Sequence, residues 1–131
     1  MIFGIGIDNI EVERVEKQLE KNGFKEKIFT AGEIEYCQAR KNYAESFAAR
    51  FAAKEAFFKA IGTGWRGGLS FDEVEIINDE LGRPEIKLWG KAKEFASKKG
   101  LDNIQVSLTH LKHYAGAVVI IEKSARQKDK I

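Results

Sequence analysis

"FAARFAAKEAFFKAIGTG", residues 47–64, decides the fold: it reads as a helix ending at a glycine, yet Arg50, Lys54, Glu55 and Lys59 interrupt a run of alanine, phenylalanine and isoleucine. On a helical wheel of about 100° per residue, Ala49, Ala53, Ala56 and Ala60 form one narrow stripe, where lost side-chain bulk lets another backbone come close. Phe47, Phe51, Phe58 and Ile61 form a second, bulky edge, and burying each such side chain contributes roughly 1.5–3 kcal/mol. Two flanks therefore belong inside, and no broad solvated face remains. Ser46 fits the N-cap and Gly62 the stop.

The charged residues have bland readings and sharper ones. Glu55 and Lys59 can form an i, i+4 surface pair, which contributes about 0.3–0.5 kcal/mol. Arg50 and Lys54 lie beside the phenylalanines, where their stems can cover aromatic surface while their charges reach water. A carboxylate on a largely buried helix loses several kcal/mol of hydration unless a cation meets it. Glu55 accordingly calls for a cation partner, Lys59 alone or a metal as well.

Working outward, "MIFGIGID" (residues 1–8) alternates like a strand, with Phe3, Ile5 and Ile7 on one face and Gly4, Gly6 and Asp8 on the other. The glycines leave room for an object brought close to the backbone. Asp8 either caps the following helix, with Glu11 completing a box-like pattern, or serves as a second carboxylate beside Glu55; the two roles are compatible. Residues 11–21 place Val12, Val15 and Leu19 on one helical stripe and Arg14, Lys17 and Lys21 on the opposite ridge. "TAGE" (30–33) fits a capping box opening a short helix to about residue 41. Beyond the central helix, "FDEVEII" (71–77) and "PEIKL" (84–88) suggest a hairpin with Pro84 at a strand start or edge. A helix over 90–99, stopping at Gly100, then precedes two strands, "IQVSLTH" and "AGAVVII", separated by "LKHY". Most neighbouring strands are joined too briefly for a helical crossover, so the expected class is α+β, a mostly antiparallel sheet packed against a long central helix.

With 131 residues, 44% hydrophobic and 32% charged, the chain is expected to be one domain spanning residues 1–131, with a polar tail from about residue 123. The lone Cys37 cannot form an internal disulfide, and the apolar start is too short for a signal peptide or membrane span, so a cytoplasmic location is expected. A net charge of +2 permits an anionic partner but falls short of a dedicated nucleic-acid binder. "VSLTHLKHY" (106–114) holds both histidines. His110 shares strand parity with Ile104, Val106 and Leu108 and ends the strand, where a polar side chain can emerge into a cleft; His113 falls in the turn. Ser-His-Asp order, zinc-ligand spacing and a "GxxxxGK" phosphate loop do not occur.

"GIDNIEVER" (6–14), the 47–64 segment and "VSLTHLKHYAGAVVI" (106–120), with "LSF" at 69–71 and "GRP" at 82–84, occur in an order and spacing that resemble the holo-[acyl-carrier-protein] synthase type of small phosphopantetheinyl transferase. The likeness spans nearly the whole chain; Asn9, where the family usually has an aliphatic residue, departs from it, and the tail beyond about Glu122 lies outside its motifs. The resemblance implies transfer of the 4'-phosphopantetheine arm from coenzyme A to a serine of an apo acyl carrier protein, releasing adenosine 3',5'-bisphosphate. It further implies Mg²⁺ held by Asp8 and Glu55, with Lys59 as a cation at the same pyrophosphate. The serine proton would pass to His110, to a water held by the metal, or to Glu55, and His110 could instead bind a phosphate. Arg50 and Arg40 would bind coenzyme A, Gly62 and Gly64 would admit the nucleotide close to the backbone, and Arg83 and Pro84 would border the nucleotide site. Arg14, Lys17 and Lys21 would dock the acidic carrier. A homotrimer with sites at subunit interfaces is implied, and neither a nucleic-acid nor a membrane partner. A competing class, a non-catalytic nucleotide- or RNA-binding module, would use Arg50, Lys54 and the basic ridge, with binding that falls steeply with salt and needs no divalent metal.

Overall fold

The computed structural model describes residues 1–62 and 67–124. The order is β1 (Ile2–Glu11), α1 (Val12–Leu19), α2 (Phe24–Ile28), α3 (Ala31–Gln38), α4 (Tyr43–Ile61), a 3-10 turn (Phe71–Glu73), β2 (Val74–Asn78), β3 (Pro84–Leu88), α5 (Gly90–Lys99), β4 (Leu101–His110) and β5 (Tyr114–Lys123). The long central helix is α4, and its alanine stripe explains the glycines of β1. A Cβ added at Gly4 or Gly6 would stand 1.9 Å from the carbonyl oxygen of Ala60 or Ala56, respectively. Strand and helix thus meet backbone to backbone, so the object that the two glycines admit is α4 itself and not a ligand.

β1, β5 and β4 form one antiparallel sheet in the order β1-β5-β4, and β2 and β3 form a separate antiparallel hairpin. In the register, Gly6 opposes Val119 and Asp8 opposes Ala117, so these residues share the face turned to α4. Val119, Ile121, Ala115 and Ala117 are buried there against Ala53, Ala56 and Phe57 of the helix, in one continuous core. The other face carries Ile5 and Ile7, 62% and 70% exposed. Pro84 opens β3 opposite Asn78, as a residue without an N–H should.

Several helix ends differ from expectation. α1 stops at Leu19, leaving Lys21 beyond it. Residues 24–28 form an unexpected single turn, α2, entered through Gly23 at φ 82°. The Thr30–Glu33 capping box is present. α4 begins at Tyr43, so Ser46 is not its cap; it is buried and donates to Cys37 Sγ at 3.2 Å. Gly62 ends α4 at φ 83°, its N–H bonded to the carbonyls of Phe58 and Lys59.

Lys54 is not a snorkelling stem. Its ammonium and the Glu33 carboxylate, both fully buried, pair at 2.8 Å. Lys54 Nζ also donates to the carbonyls of Phe71 (3.0 Å) and Val74 (2.6 Å). Glu33 accepts from the backbone N–H groups of Thr30 (3.0 Å) and Ile76 (2.7 Å). Each buried charge is therefore saturated with partners, which lets an ion pair survive in the core. It ties α3, α4, the 3-10 turn and β2 together.

Candidate active site

Strand parity places Asp8 on the face of β1 turned to α4, where the stripe of Glu55 and Lys59 meets it. Lys59 Nζ donates to Asp8 Oδ1 and to the Ile7 carbonyl, both at 3.0 Å. The cation expected to pair with Glu55 one turn earlier is thus engaged across the strand instead. The N-cap position of α1 is Glu11, and Asp8 turns to the helix behind it rather than capping. Glu55 is half-buried, and its carboxyl is pushed above the usual range by burial first and by the Asp8 charge second, with Lys59 opposing. Two carboxylates facing one ammonium leave unbalanced negative charge at one spot, a local field that favours a further cation.

Asp8 and Glu55 line a cavity of about 470 Å³ together with Arg14, Gln18, Phe24 and Phe51. Among the described residues no three His, Cys, Asp or Glu side chains gather as a metal cage. The protein donors here are two hard carboxylates, a set that suits Mg²⁺ completed by water and substrate oxygens, not a closed zinc or calcium site.

A second cavity, about 480 Å³, collects Arg40, Arg50, Arg83, Pro84 and His110. Two guanidinium groups lie over the Tyr36 ring, with Arg50 Cζ at 4.2 Å and Arg40 Cζ at 4.7 Å from its centroid. Arg50 is only 3% exposed, its Nη2 donates to Asn78 Oδ1 at 2.5 Å, and its buried Nε finds no partner among the described residues. A guanidinium held this firmly with a donor to spare is suited to an anionic guest. His110 Nδ1 lies 2.8 Å from Glu45 Oε1.

The residues that the resemblance assigned to one site therefore separate into two groups, and among the described residues the two cavity linings have none in common. Arg14 joins the acidic group, while Lys17 and Lys21 stand exposed on and beyond α1. Among the described residues nothing lies within 4 Å of where a Cβ on Gly62 would stand, and Gly64 lies outside the described residues. The burial of Lys54 removes it from the cations a nucleic-acid module would use. Tyr36, Glu45 and Asn78 were not foreseen. A contact such as Glu45 with His110, 65 residues apart, leaves no local mark in the sequence.

The family profile of the 4'-phosphopantetheinyl transferase superfamily matches residues 4–119. The holo-[acyl-carrier-protein] synthase of Geotalea daltonii is 46% identical over 125 residues, covering 94% of this chain and 100% of that protein. The crystal structure of the Neisseria meningitidis holo-[acyl-carrier-protein] synthase superposes with a TM-score of 0.86 at 34% identity, covering 94% of this chain and 100% of that one. That of Bacillus anthracis, in complex with coenzyme A (3',5'-ADP), superposes with a TM-score of 0.79 at 39% identity, covering 95% and 99%. By a profile match across most of its length and relatives aligned end to end, this chain belongs to the holo-[acyl-carrier-protein] synthase family of phosphopantetheinyl transferases.

Proposed function

We propose that this protein transfers the 4'-phosphopantetheine arm of coenzyme A to a serine hydroxyl of an apo acyl carrier protein, releasing adenosine 3',5'-bisphosphate, with Mg²⁺ as cofactor. The observation that carries the reading is the convergence of Asp8 of β1 and Glu55 of α4, far apart in sequence, on one cavity with Lys59 bonded to Asp8. Asp8 and Glu55 would hold the Mg²⁺, which supplies positive charge to the pyrophosphate as the leaving phosphate gains negative charge. Lys59 holds the Asp8 carboxylate in place and presents a half-exposed ammonium to the same anion. In the second cavity Arg50, stacked on Tyr36 and anchored by Asn78, has a spare donor for a phosphate, with Arg40 and Arg83 at the rim. The Bacillus anthracis relative bound to coenzyme A (3',5'-ADP) supports a nucleotide as the guest. Arg14, lining the acidic cavity beside exposed Lys17, is suited to orient an acidic carrier next to the metal-binding pair.

The assembly goes with the same reading. The outer face of the β1-β5-β4 sheet presents Ile5 and Ile7, beside Val118 and Ile120 in register, and apolar strands of this kind are usually covered. A homotrimer covering this face, with the acidic cavity of one protomer beside the arginine cavity of the next, would unite the two half-sites. Among the described residues no helix is long and apolar enough to cross a membrane, and we propose a cytoplasmic location.

Incubating the protein with apo carrier, coenzyme A and Mg²⁺, then weighing the carrier, tests the reaction: one added phosphopantetheine is expected. Asp8→Asn and Glu55→Gln, which keep shape and lose charge, should each lower kcat/KM by at least about a hundredfold with near-native circular dichroism. An unmodified carrier under these conditions, or full activity in both variants, defeats the proposal.

A further inference from the structure

We propose that Glu45 is a positioning residue for the transfer reaction: it accepts the Nδ1–H of His110 and so fixes Nε2 as the atom that His110 turns to the arginine cavity. The inference rests on the transferase reading for its kinetic consequence, though not for its geometry. His110 is the last residue of β4 and sits opposite Ala115 of β5, so its backbone is fixed by the sheet. Its ring is less constrained, because the side chain is 46% exposed. What orients it is a carboxylate from another element. Glu45 stands in the first turn of α4 with its side chain only 18% exposed, and Oε1 lies 2.8 Å from Nδ1.

The two partners face different spaces. His110 lines the cavity of Arg40, Arg50 and Arg83, whereas Glu45 does not; it borders a separate hollow with Lys41, Lys112 and His113. Glu45 therefore meets the ring from behind, outside the space that a guest would occupy, and acts through His110.

The chemistry follows from the donor inventory. An ionised carboxylate only accepts, so the shared hydrogen belongs to Nδ1. A neutral His110 is then the Nδ1–H tautomer with its lone pair on Nε2, and a protonated one donates from Nε2 while Glu45 balances the charge behind it. Either way the same nitrogen, Nε2, is the one left for a guest of the arginine cavity, and the ring cannot rotate to offer the other without breaking the bond to Glu45. Partners of this kind, holding the far nitrogen of a functional histidine, typically change affinity or activity by 10–100-fold when removed from metal-bound histidines, and about tenfold is expected here.

The chain has two histidines, so long-range nitrogen–proton NMR of the imidazoles, assigned with His110→Ala, reads the tautomer directly. In the intact protein at pH 8, His110 should be protonated at Nδ1. Glu45→Gln, which still offers an oxygen, should keep that tautomer, and Glu45→Ala should switch it to Nε2–H. In the transfer assay, Glu45→Ala should raise the KM for coenzyme A about tenfold with a smaller change in kcat. Glu45→Gln should recover most of the loss, and Glu45→Ala should add nothing in a His110→Ala background. An Nε2–H tautomer in the intact protein, or additive losses in the double variant, overturns the proposal. A protein that shows the expected tautomers but no transfer would instead overturn the transferase reading and with it the catalytic relevance of Glu45.

Discussion

Glu55 is ionised at a cost set by its surroundings, and that cost is measurable. Burial and the neighbouring Asp8 charge raise its carboxyl above the ordinary value of 4.5, so the native protein keeps this proton at pH values where the unfolded chain has lost it. The native state binds more protons across that window, so the contribution to stability is full below the ordinary value and is lost as pH rises through the raised one. In metal-free protein, Glu55→Gln should match the parent in acid and exceed it in melting temperature towards neutral pH, and added Mg²⁺ should narrow the gap. Melting curves from pH 4 to 8 check this; parallel curves for the two proteins would mean that Glu55 is not electrostatically strained. At this scale the sequence was partly legible. That Glu55 needs a cation followed from charge on a buried helix, and Asp8 followed from strand parity with Gly4 and Gly6. The choice of partners did not follow: Lys59 reaches Asp8, and Lys54 turns inward to Glu33, because a helical wheel gives direction without showing what stands opposite.

At the scale of elements, the contact between β1 and α4 governs where Asp8 sits. Ala56 and Ala60 let the strand descend until the positions of Gly4 and Gly6 have no room for a side chain. Both neighbouring atoms are backbone carbonyl oxygens, which cannot rotate aside. Gly6→Ala should therefore cost about 3 kcal/mol or more, the upper end of overpacking effects, and push β1 off the helix, separating Asp8 from Glu55. A urea titration would read the loss, and an unchanged midpoint would show that the two elements have slack between them. Both halves of this contact were visible in the sequence as a small-residue stripe and a glycine face, yet nothing local said that each was made for the other. Ser46 misled because serine at a helix start is a strong cap signal; the chain instead starts α4 four residues earlier, at Tyr43, and uses the hydroxyl on buried Cys37. α2 escaped notice because five residues are too few to show a helical period.

At the scale of the whole molecule, one chain carries an acidic cavity and an arginine cavity with separate linings among the described residues, together with an apolar sheet face left open. The residue types were legible in the sequence, but their division into two cavities was not, since spacing along a chain does not say which surface a residue reaches. In the proposed trimer, covering Ile5 and Ile7 and completing the catalytic site are a single event. A charge on that face should then remove both at once: Ile7→Glu puts a carboxylate where an apolar neighbour is expected, on an exposed strand position whose side chain contributes little to the core of its own protomer. Sedimentation should show the parent as a trimer and Ile7→Glu as a folded monomer, with transfer activity falling in proportion to the lost trimer. Raising the variant's concentration should restore part of the activity by mass action. A monomeric Ile7→Glu that retained full activity would place a complete site within one chain, and an unaltered trimer would place the interface elsewhere on the surface.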